Sequence, residues 1–215
     1  QRQMCIRDSH RWASHSLGII FFALSSQYLI SSPIDHHQER FEDVALKIWE
    51  YAELGYLEEK SSSLLQQELK DSGFTIQSGV AGIPTAFIAE YNNGGPVLGI
   101  LGEFDALPGL SQQNVPFKTA EGLSSANGHA CGHHLFGAAS AWAVVAIKDW
   151  LEESGTPGTI RFYGTPAEEG GSGKVYIARD GYFDDVDIVL HWHPASGNSA
   201  DAQSSNSNKS GKFTF

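Results

Sequence analysis

The chain has 215 residues, of which 41% are hydrophobic, and a formal net charge of −11. This length and hydrophobic content allow one substantial core, and the acidic balance argues against a surface that follows a nucleic-acid backbone. The two cysteines, Cys5 and Cys131, lie far apart in the sequence and in different surroundings. They do not indicate a disulfide framework.

Residues 1–34 differ in character from the rest of the chain. Arginines precede the run LGIIFFALSS, which is too short to span a bilayer and has the layout of a secretory signal peptide. The alternative is that QRQMCIRDS is not native sequence, since the chain does not begin with Met. The sequence leaves the localisation open between the cytoplasm and, if this segment is a signal peptide, export to the periplasm, and we leave the segment out of the fold.

Two helices are predicted after this segment. From Asp35 onward apolar residues recur at intervals of three and four, and we expect this first helix to close at Gly55. The stretch SSSLLQQELKDSG predicts a second helix with serines as N-cap candidates, leucines on one face and Gly73 at the C′ position.

The pattern then changes to strands. TAFIAEY and VLGILGEF flank the turn-forming NNGG, which predicts neighbouring strands. A long apolar helix is predicted from about Leu135 to Glu153, and TIRFYG and DIVLHW are predicted as buried strands. Helices alternating with buried strands predict an α/β layered domain over residues 35–196, with a mostly parallel or mixed central sheet flanked by helices. The polar stretch ASGNSADAQSSNSNKSG and the strand-like KFTF predict a linker and one further strand over residues 197–215.

Polar clusters follow three of these predicted strands. They are GEFDALP, GTPAEEGG and HWHP, and a fourth cluster, GHACGHH, opens the long helix. Because ligands bind beyond the carboxyl ends of strands in open α/β sheets, we expect these clusters to converge. Together they supply seven candidate site residues: Asp105, Cys131, His133, Glu168, Glu169, His191 and His193.

This set of side chains favours a transition metal. Imidazole, carboxylate and thiolate are zinc-type ligands, whereas Mg²⁺ and Ca²⁺ prefer oxygen. One tetrahedral zinc needs three or four groups, so the surplus predicts two ions with shared ligands, an arrangement suited to hydrolysing an amide. The side chains of Glu168 and Glu169 point in opposite directions if the segment is extended, so we predict one metal ligand and one general base. Cys131 is predicted to be a thiolate ligand.

Each cluster taken alone has a plainer interpretation. Acidic pairs are usually solvated, a His-x-His pair is more often structural, FDALPG fits a turn, and Cys131 fits a small buried residue. All four clusters lie at the end of a predicted strand or at the start of a predicted helix, and this joint occurrence favours a functional site.

Five motifs, in order, resemble the metallo-amidohydrolases related to aminoacylase and carboxypeptidase G, and within them the aminobenzoyl-glutamate and indole-acetyl-amino-acid hydrolases. The motifs are ELGYLEEKSS, GEFDALPG, GHACGHHLFG, GTPAEEGGSGK and HWHP. The resemblance covers about residues 35–194. It implies a zinc-peptidase-like catalytic domain with two divalent ions, zinc or manganese, that hydrolyses an N-acyl amino acid. His134 stands where the commoner pattern has Asp, which favours an aminobenzoyl-glutamate-like substrate.

The same resemblance implies roles for individual residues. Cys131, His133 and Glu169 correspond to metal ligands and Glu168 to the general base. His191 matches the next ligand, with His193 as the alternative, and Asp105 corresponds to an acidic residue that orients a ligand.

Members of that family continue into a lid domain that mediates homodimerisation, and then return to supply a last His ligand. We therefore expect KFTF to begin a lid domain that is otherwise missing. The alternatives to an active enzyme are an inactive fragment and a metal-binding module, and an aminopeptidase or dipeptidase of the same family is a further possibility. A nucleobase-type zinc deaminase or a dithiol redox protein would need a Cys-x-x-Cys pair, which two distant cysteines do not supply.

Overall fold

The computed structural model describes residues 34–113, 115–117, 119 and 126–200. The expectations of a signal peptide and of a strand at KFTF lie outside the described residues. The helices are α1 (Gln38–Tyr51), α2 (Glu59–Asp71), α3 (His133–Ser154), α4 (Glu168–Gly171) and α5 (Gly173–Arg179), and the strands are β1 (Thr75–Ser78), β2 (Phe87–Asn92), β3 (Val97–Gly102), β4 (Thr159–Gly164) and β5 (Ile188–Leu190).

These strands form one mixed sheet in the order β1-β2-β4-β3-β5. β3 runs parallel to both β4 and β5, whereas β1 with β2 and β2 with β4 are antiparallel. Buried side chains of α1, α2 and α3 pack on one face of the sheet, against residues such as Phe87 and Phe162. Ile177 of α5 packs on the other face with Ile88 and Tyr163. The predicted α/β layered class is confirmed.

The prediction that β2 and β3 are neighbours is wrong, because β4 lies between them. Ile160 of β4 pairs with Tyr91 of β2 on one side and with Leu98 of β3 on the other. The NNGG turn therefore closes no hairpin. Gly95, at φ +69°, packs instead against the segment that enters β4, where a Cβ would lie 2.7 Å from the carbonyl oxygen of Pro157.

The first helix ends earlier than expected. α1 stops at Ala52, which has φ 42° and whose N–H still donates to the carbonyl of Ile48, so Gly55 lies beyond the helix. An alanine with positive φ is uncommon, and no sequence rule for helix ends points to it.

The second helix begins without the predicted serine cap. Its N-cap is Glu58, while Ser61 and Ser62 are buried inside the helix. The carboxylate of Glu53, five residues before the N-cap, accepts the N–H groups of Lys60 at 3.0 Å and of Ser61 at 2.9 Å. This distant carboxylate satisfies two of the donors that a helix start leaves free.

The end of α2 follows the prediction. Gly73 occupies the C′ position with φ +92°. Its N–H donates to the carbonyl oxygen of Lys70, and the N–H of Phe74 donates to the carbonyl oxygen of Leu69, each at 3.0 Å. These two bonds form a Schellman motif.

Glu58 is a fully buried carboxyl group. Burial is the main reason that its pKa is raised from 4.5 to about 7, although hydrogen bonds from its own backbone N–H, from the Ala167 N–H and from the Thr85 hydroxyl oppose the rise. The folded chain therefore keeps this proton over a pH range in which the unfolded chain has released it. The stabilisation is complete below pH 4.5 and is lost as the pH rises through about 7.

Glu58→Gln is expected to flatten the pH dependence of stability. A shift of this size corresponds to about 3 kcal/mol, since one pKa unit is worth about 1.4 kcal/mol. Urea unfolding of both proteins at pH 5 and pH 8 measures the effect, with the wild type losing stability at pH 8 relative to the variant. If the two proteins lost the same stability between these pH values, Glu58 would not be the titrating group.

The long helix matches its prediction closely. α3 runs from His133 to Ser154 and ends at Gly155, which has φ 65°. Near its start, Gly137 lies against the end of β3, where an added Cβ would lie 2.6 Å from the carbonyl oxygen of Glu103. This close approach brings the first turn of α3 to the edge of the sheet.

Gly137→Ala is expected to lower the free energy of unfolding by about 1–3 kcal/mol, because the methyl group would push α3 away from Glu103. Urea denaturation measures the change. Ala139→Ser, at a half-buried position of the same helix, is the control and is expected to change stability by less than about 0.5 kcal/mol. Equal stability of the Gly137→Ala variant and the wild type would contradict the close packing.

The last strand is exposed, not buried as predicted. Ile188 is 56% exposed and Leu190 is 51% exposed. Within the described part of the chain β5 pairs with β3 and with no second strand, so it lies at the edge of the sheet there. β5 also ends at Leu190, so His191 and His193 follow the strand instead of lying on it. None of the helices in the described ranges is long and apolar enough to cross a membrane.

Candidate metal centre

The four polar clusters meet where the parallel strands end. Glu103 and Asp105 follow β3, Glu168 and Glu169 follow β4, and His191 and His193 follow β5, while His133 opens α3. The carboxyl ends of parallel strands share one edge of the sheet, which explains the convergence.

His133 lies at the middle of the cluster and is fully buried. Its Nδ1 is 2.8 Å from Oδ1 of Asp105, while its Nε2 is 2.9 Å from Oε2 of Glu103 and 3.9 Å from Oε1 of Glu169. The other oxygen of Asp105 accepts the N–H of Glu169 at 2.9 Å. Asp105 therefore fixes the imidazole ring through Nδ1 and turns Nε2 toward the other carboxylates, the arrangement by which a carboxylate orients a metal-binding histidine.

The electrostatics around His133 favour a positive charge. Burial lowers the pKa of His133, but Asp105 and Glu103 together raise it to about 10. Burial acts to raise the pKa of Glu103, yet His133, His191 and Lys174 hold it well below its usual range. A buried site that holds a proton this firmly between carboxylates is also electrostatically suited to a metal cation.

Cys131 lies beside this group and is half-buried. Its Sγ is 3.3 Å from Nε2 of His193. Burial, and after it a hydrogen bond and the negative charge of Glu169, raise the pKa of the thiol to about 11. The predicted thiolate is therefore not the state of the metal-free chain at neutral pH, and ionisation of Cys131 requires a cation close by.

Among the residues that the structure describes, two groups of side chains have the spacing of metal ligands, and both contain His133. One is Cys131, His133 and His193, and the other is Glu103, His133 and Glu168; within each group the ligand atoms lie within 4.8 Å of one another. Three buried atoms that face this space, Nε2 of His133, Oε2 of Glu103 and Oε1 of Glu169, lack a partner with hydrogen-bond geometry within the described part of the chain. Buried polar atoms without partners are costly. These residues therefore fit a bound metal.

The two histidines after β5 lie in different places. His193 is the one in the group with Cys131, whereas Nε2 of His191 lies 3.8 Å from Oε1 of Glu103; both histidines are exposed. This geometry favours the alternative, His193, over His191.

Glu168 and Glu169 were expected to lie in an extended segment, and the structure shows that they do not. After β4, Ala167 has φ 57° and ψ 43°, and Glu168 and Glu169 form the first turn of α4. The two side chains diverge because successive residues of a helix point in directions about 100° apart. Glu168 is exposed, while the side chain of Glu169 is only 21% exposed and faces His133.

Two further residues of the site, Glu103 and Lys174, were not predicted from the sequence. The ammonium of Lys174 contacts Oε1 of Glu103, which is 2% exposed. Glu103 could have been found, because it directly follows β3 and lies two residues before Asp105, so both side chains lie on one side of an extended chain. Lys174 gave no such signal, since its contact spans 71 residues of sequence.

The other two histidines of GHACGHH lie apart from the carboxylates. The rings of His129 and His134 have centroids 5.1 Å apart, and Nε2 of His129 lies 3.0 Å from the carbonyl oxygen of Ile48. Burial lowers the pKa of both histidines to about 4. Of the three histidines in this motif, His133 is the one in the candidate metal centre.

Asp105→Asn is expected to weaken zinc binding about 10- to 100-fold, because the variant no longer fixes the His133 ring with a charged acceptor. Competition with a chromophoric chelator measures the affinity. Asp149→Asn is the matched control, since Asp149 also contacts a histidine, His37 at 2.8 Å, but outside the candidate centre. A similar loss in both variants would mean that the effect is not specific to His133.

Residues 99–205 match the profile of peptidase family M20/M25/M40. The chain is 47% identical over 165 residues to one of the subunits of p-aminobenzoyl-glutamate hydrolase from Escherichia coli, a match that covers 77% of this chain and 34% of that protein. It is 33% identical over 184 residues to human Xaa-Arg dipeptidase, covering 78% of this chain and 38% of the relative. The chain thus spans little more than a third of the length of these relatives.

Solved structures show the same fold. A Bacillus subtilis protein described as a dinuclear metal-binding peptidase of the M20 family superposes with a TM-score of 0.61 at 25% identity, covering 75% of this chain and 44% of that one. An aminobenzoyl-glutamate utilization protein from Klebsiella pneumoniae superposes with a TM-score of 0.58 at 16% identity, covering 77% of this chain and 46% of that one. The second likeness supports the fold alone.

Proposed function

Because the chain belongs to peptidase family M20/M25/M40, we propose that it carries the metal-binding part of an amidohydrolase that cleaves the amide bond of an N-acyl amino acid. The observation that carries this proposal is the buried group around Nε2 of His133, where oxygens of Glu103 and Glu169 lie 2.9 Å and 3.9 Å from the ring nitrogen without hydrogen-bond geometry among the described residues.

The proposed centre takes two divalent ions, zinc or manganese. Cys131, His133, Glu169 and His193 are the proposed ligands, with His191 as the alternative to His193. The mixture of thiol, imidazole and carboxylate supports a zinc-type ion. A dinuclear centre is also the description of the Bacillus subtilis structure. Such ions activate water as a nucleophile and stabilise the negative charge that develops on the acyl oxygen.

Within this proposal Glu168 is the general base. Its side chain is exposed at the mouth of the site, where a substrate has access, while Glu169 faces inward. Glu168 takes a proton from the attacking water and then delivers it to the nitrogen of the departing amine. Asp105 holds the ring of His133 throughout, and Lys174 neutralises part of the charge of Glu103.

We propose aminobenzoyl-glutamate as the substrate. The name of the 47% identical Escherichia coli relative supports this choice. The human relative, a dipeptidase that is 33% identical, supports a second candidate, a dipeptide with a C-terminal arginine. Both substrates contain an amide bond next to a free carboxylate, so the same site chemistry serves either one.

The test is hydrolysis by the purified chain after loading with zinc or with manganese. We expect p-aminobenzoate to be released from p-aminobenzoyl-glutamate, and release to stop after the metal is removed with a chelator. Faster cleavage of an Ala-Arg dipeptide would favour the second candidate. A chain that binds metal and cleaves neither substrate would instead be an inactive fragment or a metal-binding module.

A further inference from the structure

Residues 53–58, which connect α1 to α2, lie against both loops that carry the acidic residues of the site. We call these residues the bracing segment. Leu54 forms a parallel bridge with Ala106, next to Asp105. The carbonyl oxygen of Glu53 accepts the N–H of Ala106 at 2.8 Å. The bracing segment is therefore attached to the loop after β3.

The bracing segment also contacts the loop after β4. Gly55 lies so close to Ala167 that an added Cβ would be 3.0 Å from both its Cα and its Cβ. Oε1 of Glu58 accepts the N–H of Ala167 at 2.8 Å. Ala167 is 1% exposed and has left-handed backbone angles, which are unfavourable for an alanine. The contacts with Glu58 and Gly55 oppose the tendency of Ala167 to leave this conformation.

A third contact lies beyond the acidic pair. The hydroxyl of Tyr56 donates to the carbonyl oxygen of Gly171 at 2.5 Å, and an added Cβ on Gly171 would lie 2.4 Å from the tyrosine ring. The loop is thus held on both sides of Glu168 and Glu169, before them at Ala167 and after them at Gly171.

Glu58 has no contact with the candidate ligands and no part in the proposed chemistry. Its second oxygen, Oε2, accepts the hydroxyl of Thr85 at 3.1 Å. Both carboxylate oxygens therefore have donors, as a fully buried acid requires. Glu58 is the N-cap residue of α2, and one of its oxygens also accepts the backbone N–H of Ala167, directly before the acidic pair. It therefore connects the start of α2 to the loop after β4.

We propose that Glu58 is a positioning residue that, through the Ala167 N–H, fixes the adjacent acidic pair of the site. The inference rests on the proposed function for the roles of Glu168 and Glu169, but the positioning itself does not depend on activity. The link continues inward, because the N–H of Glu169 donates to Asp105, which in turn contacts His133. A displaced Ala167 would move Glu169 away from both residues.

Amide hydrogen exchange of the wild-type chain, followed by NMR, tests the positioning directly. In Glu58→Met, which keeps the length of the side chain and removes both acceptors, the amides of Ala167 and Glu169 are expected to exchange roughly 10-fold faster, as loss of a hydrogen bond to a neutral carboxyl group predicts. Glu58→Gln keeps an acceptor for Ala167 and a donor for Thr85, and is expected to restore protection to within about threefold of the wild type.

Thr85→Val is the matched control for stability. It removes the other hydrogen bond of Glu58 and leaves the one to Ala167 in place. We expect the two loop amides to keep their protection relative to amides in β2 and β4. Unchanged exchange in Glu58→Met, or an equal loss in Thr85→Val, would overturn the inference.

Zinc titration by calorimetry separates this inference from the proposed function. Glu58→Met is expected to bind zinc several-fold more weakly than the wild type, and Glu58→Gln is expected to match the wild type. A wild-type chain that binds no zinc would contradict the proposed function, while the exchange data would still decide whether Glu58 positions the loop. Wild-type zinc affinity in Glu58→Met would overturn the positioning role.

Discussion

Glu168→Gln is expected to lower the rate of amide hydrolysis about 10²- to 10⁴-fold while the metal content stays unchanged, because glutamine cannot accept the proton of the attacking water. The exposed position of Glu168 at the start of α4 supports this role. Product release and elemental analysis on the same preparation measure the two quantities.

Glu169→Gln is the comparison, since Glu169 faces His133 at 3.9 Å. This variant is expected to lose metal as well as activity. Loss of metal from Glu168→Gln would contradict the assignment and would instead support the group in which Glu168, Glu103 and His133 have the spacing of ligands. Appreciable activity in Glu168→Gln would show that another residue is the base.

His133→Ala is expected to abolish measurable zinc binding. His133 belongs to both groups of possible ligands, so its removal takes a ligand atom from each and leaves Asp105 and Glu103 as buried acids without their shared partner. The loss should exceed the roughly 10- to 100-fold effect that changing an orienting residue such as Asp105 produces. Calorimetric titration with zinc measures it.

His134→Ala is the matched control, because the ring of this adjacent histidine packs at a tilt against His129 and does not belong to either group of possible ligands among the described residues. Zinc affinity within a few-fold of the wild type is expected. If zinc binding were lost in His134→Ala and kept in His133→Ala, the metal would bind at His129 and His134 instead of at His133.

The sequence was sufficient to predict α1, α2 and α3, the layered class and the meeting of the polar clusters, whereas α4 and α5 were not predicted. The long apolar run of α3 and the glycine at position 73 are local signals. The first predicted a helix, and the second predicted where α2 ends. The meeting of Asp105, His133 and Glu169 followed from a general property of parallel strands, whose carboxyl ends share one edge.

The features that could not be predicted depend on contacts between residues that are distant in the sequence. Glu58 reaches Ala167 across 109 residues, and no pattern around either residue indicates that contact. The exposure of β5 could not be predicted because an apolar run looks the same in a central strand and in an edge strand. The conformation of Ala167 was missed because rules for left-handed residues point to glycine.

The place of β4 between β2 and β3 has a consequence for folding. The two strands that flank β4, β2 and β3, are joined by the short NNGG turn, a sequence that favours direct hairpin pairing, and during synthesis they exist before β4 has been made. Direct pairing would be a misfolded intermediate that has to separate before Thr159–Gly164 can insert between them. Such late, non-local strand pairing slows folding and leaves strand edges open to association with other chains. The contacts of Asn93 with Gly158 and Thr156 form only when β4 arrives, and they then hold the turn in its native position.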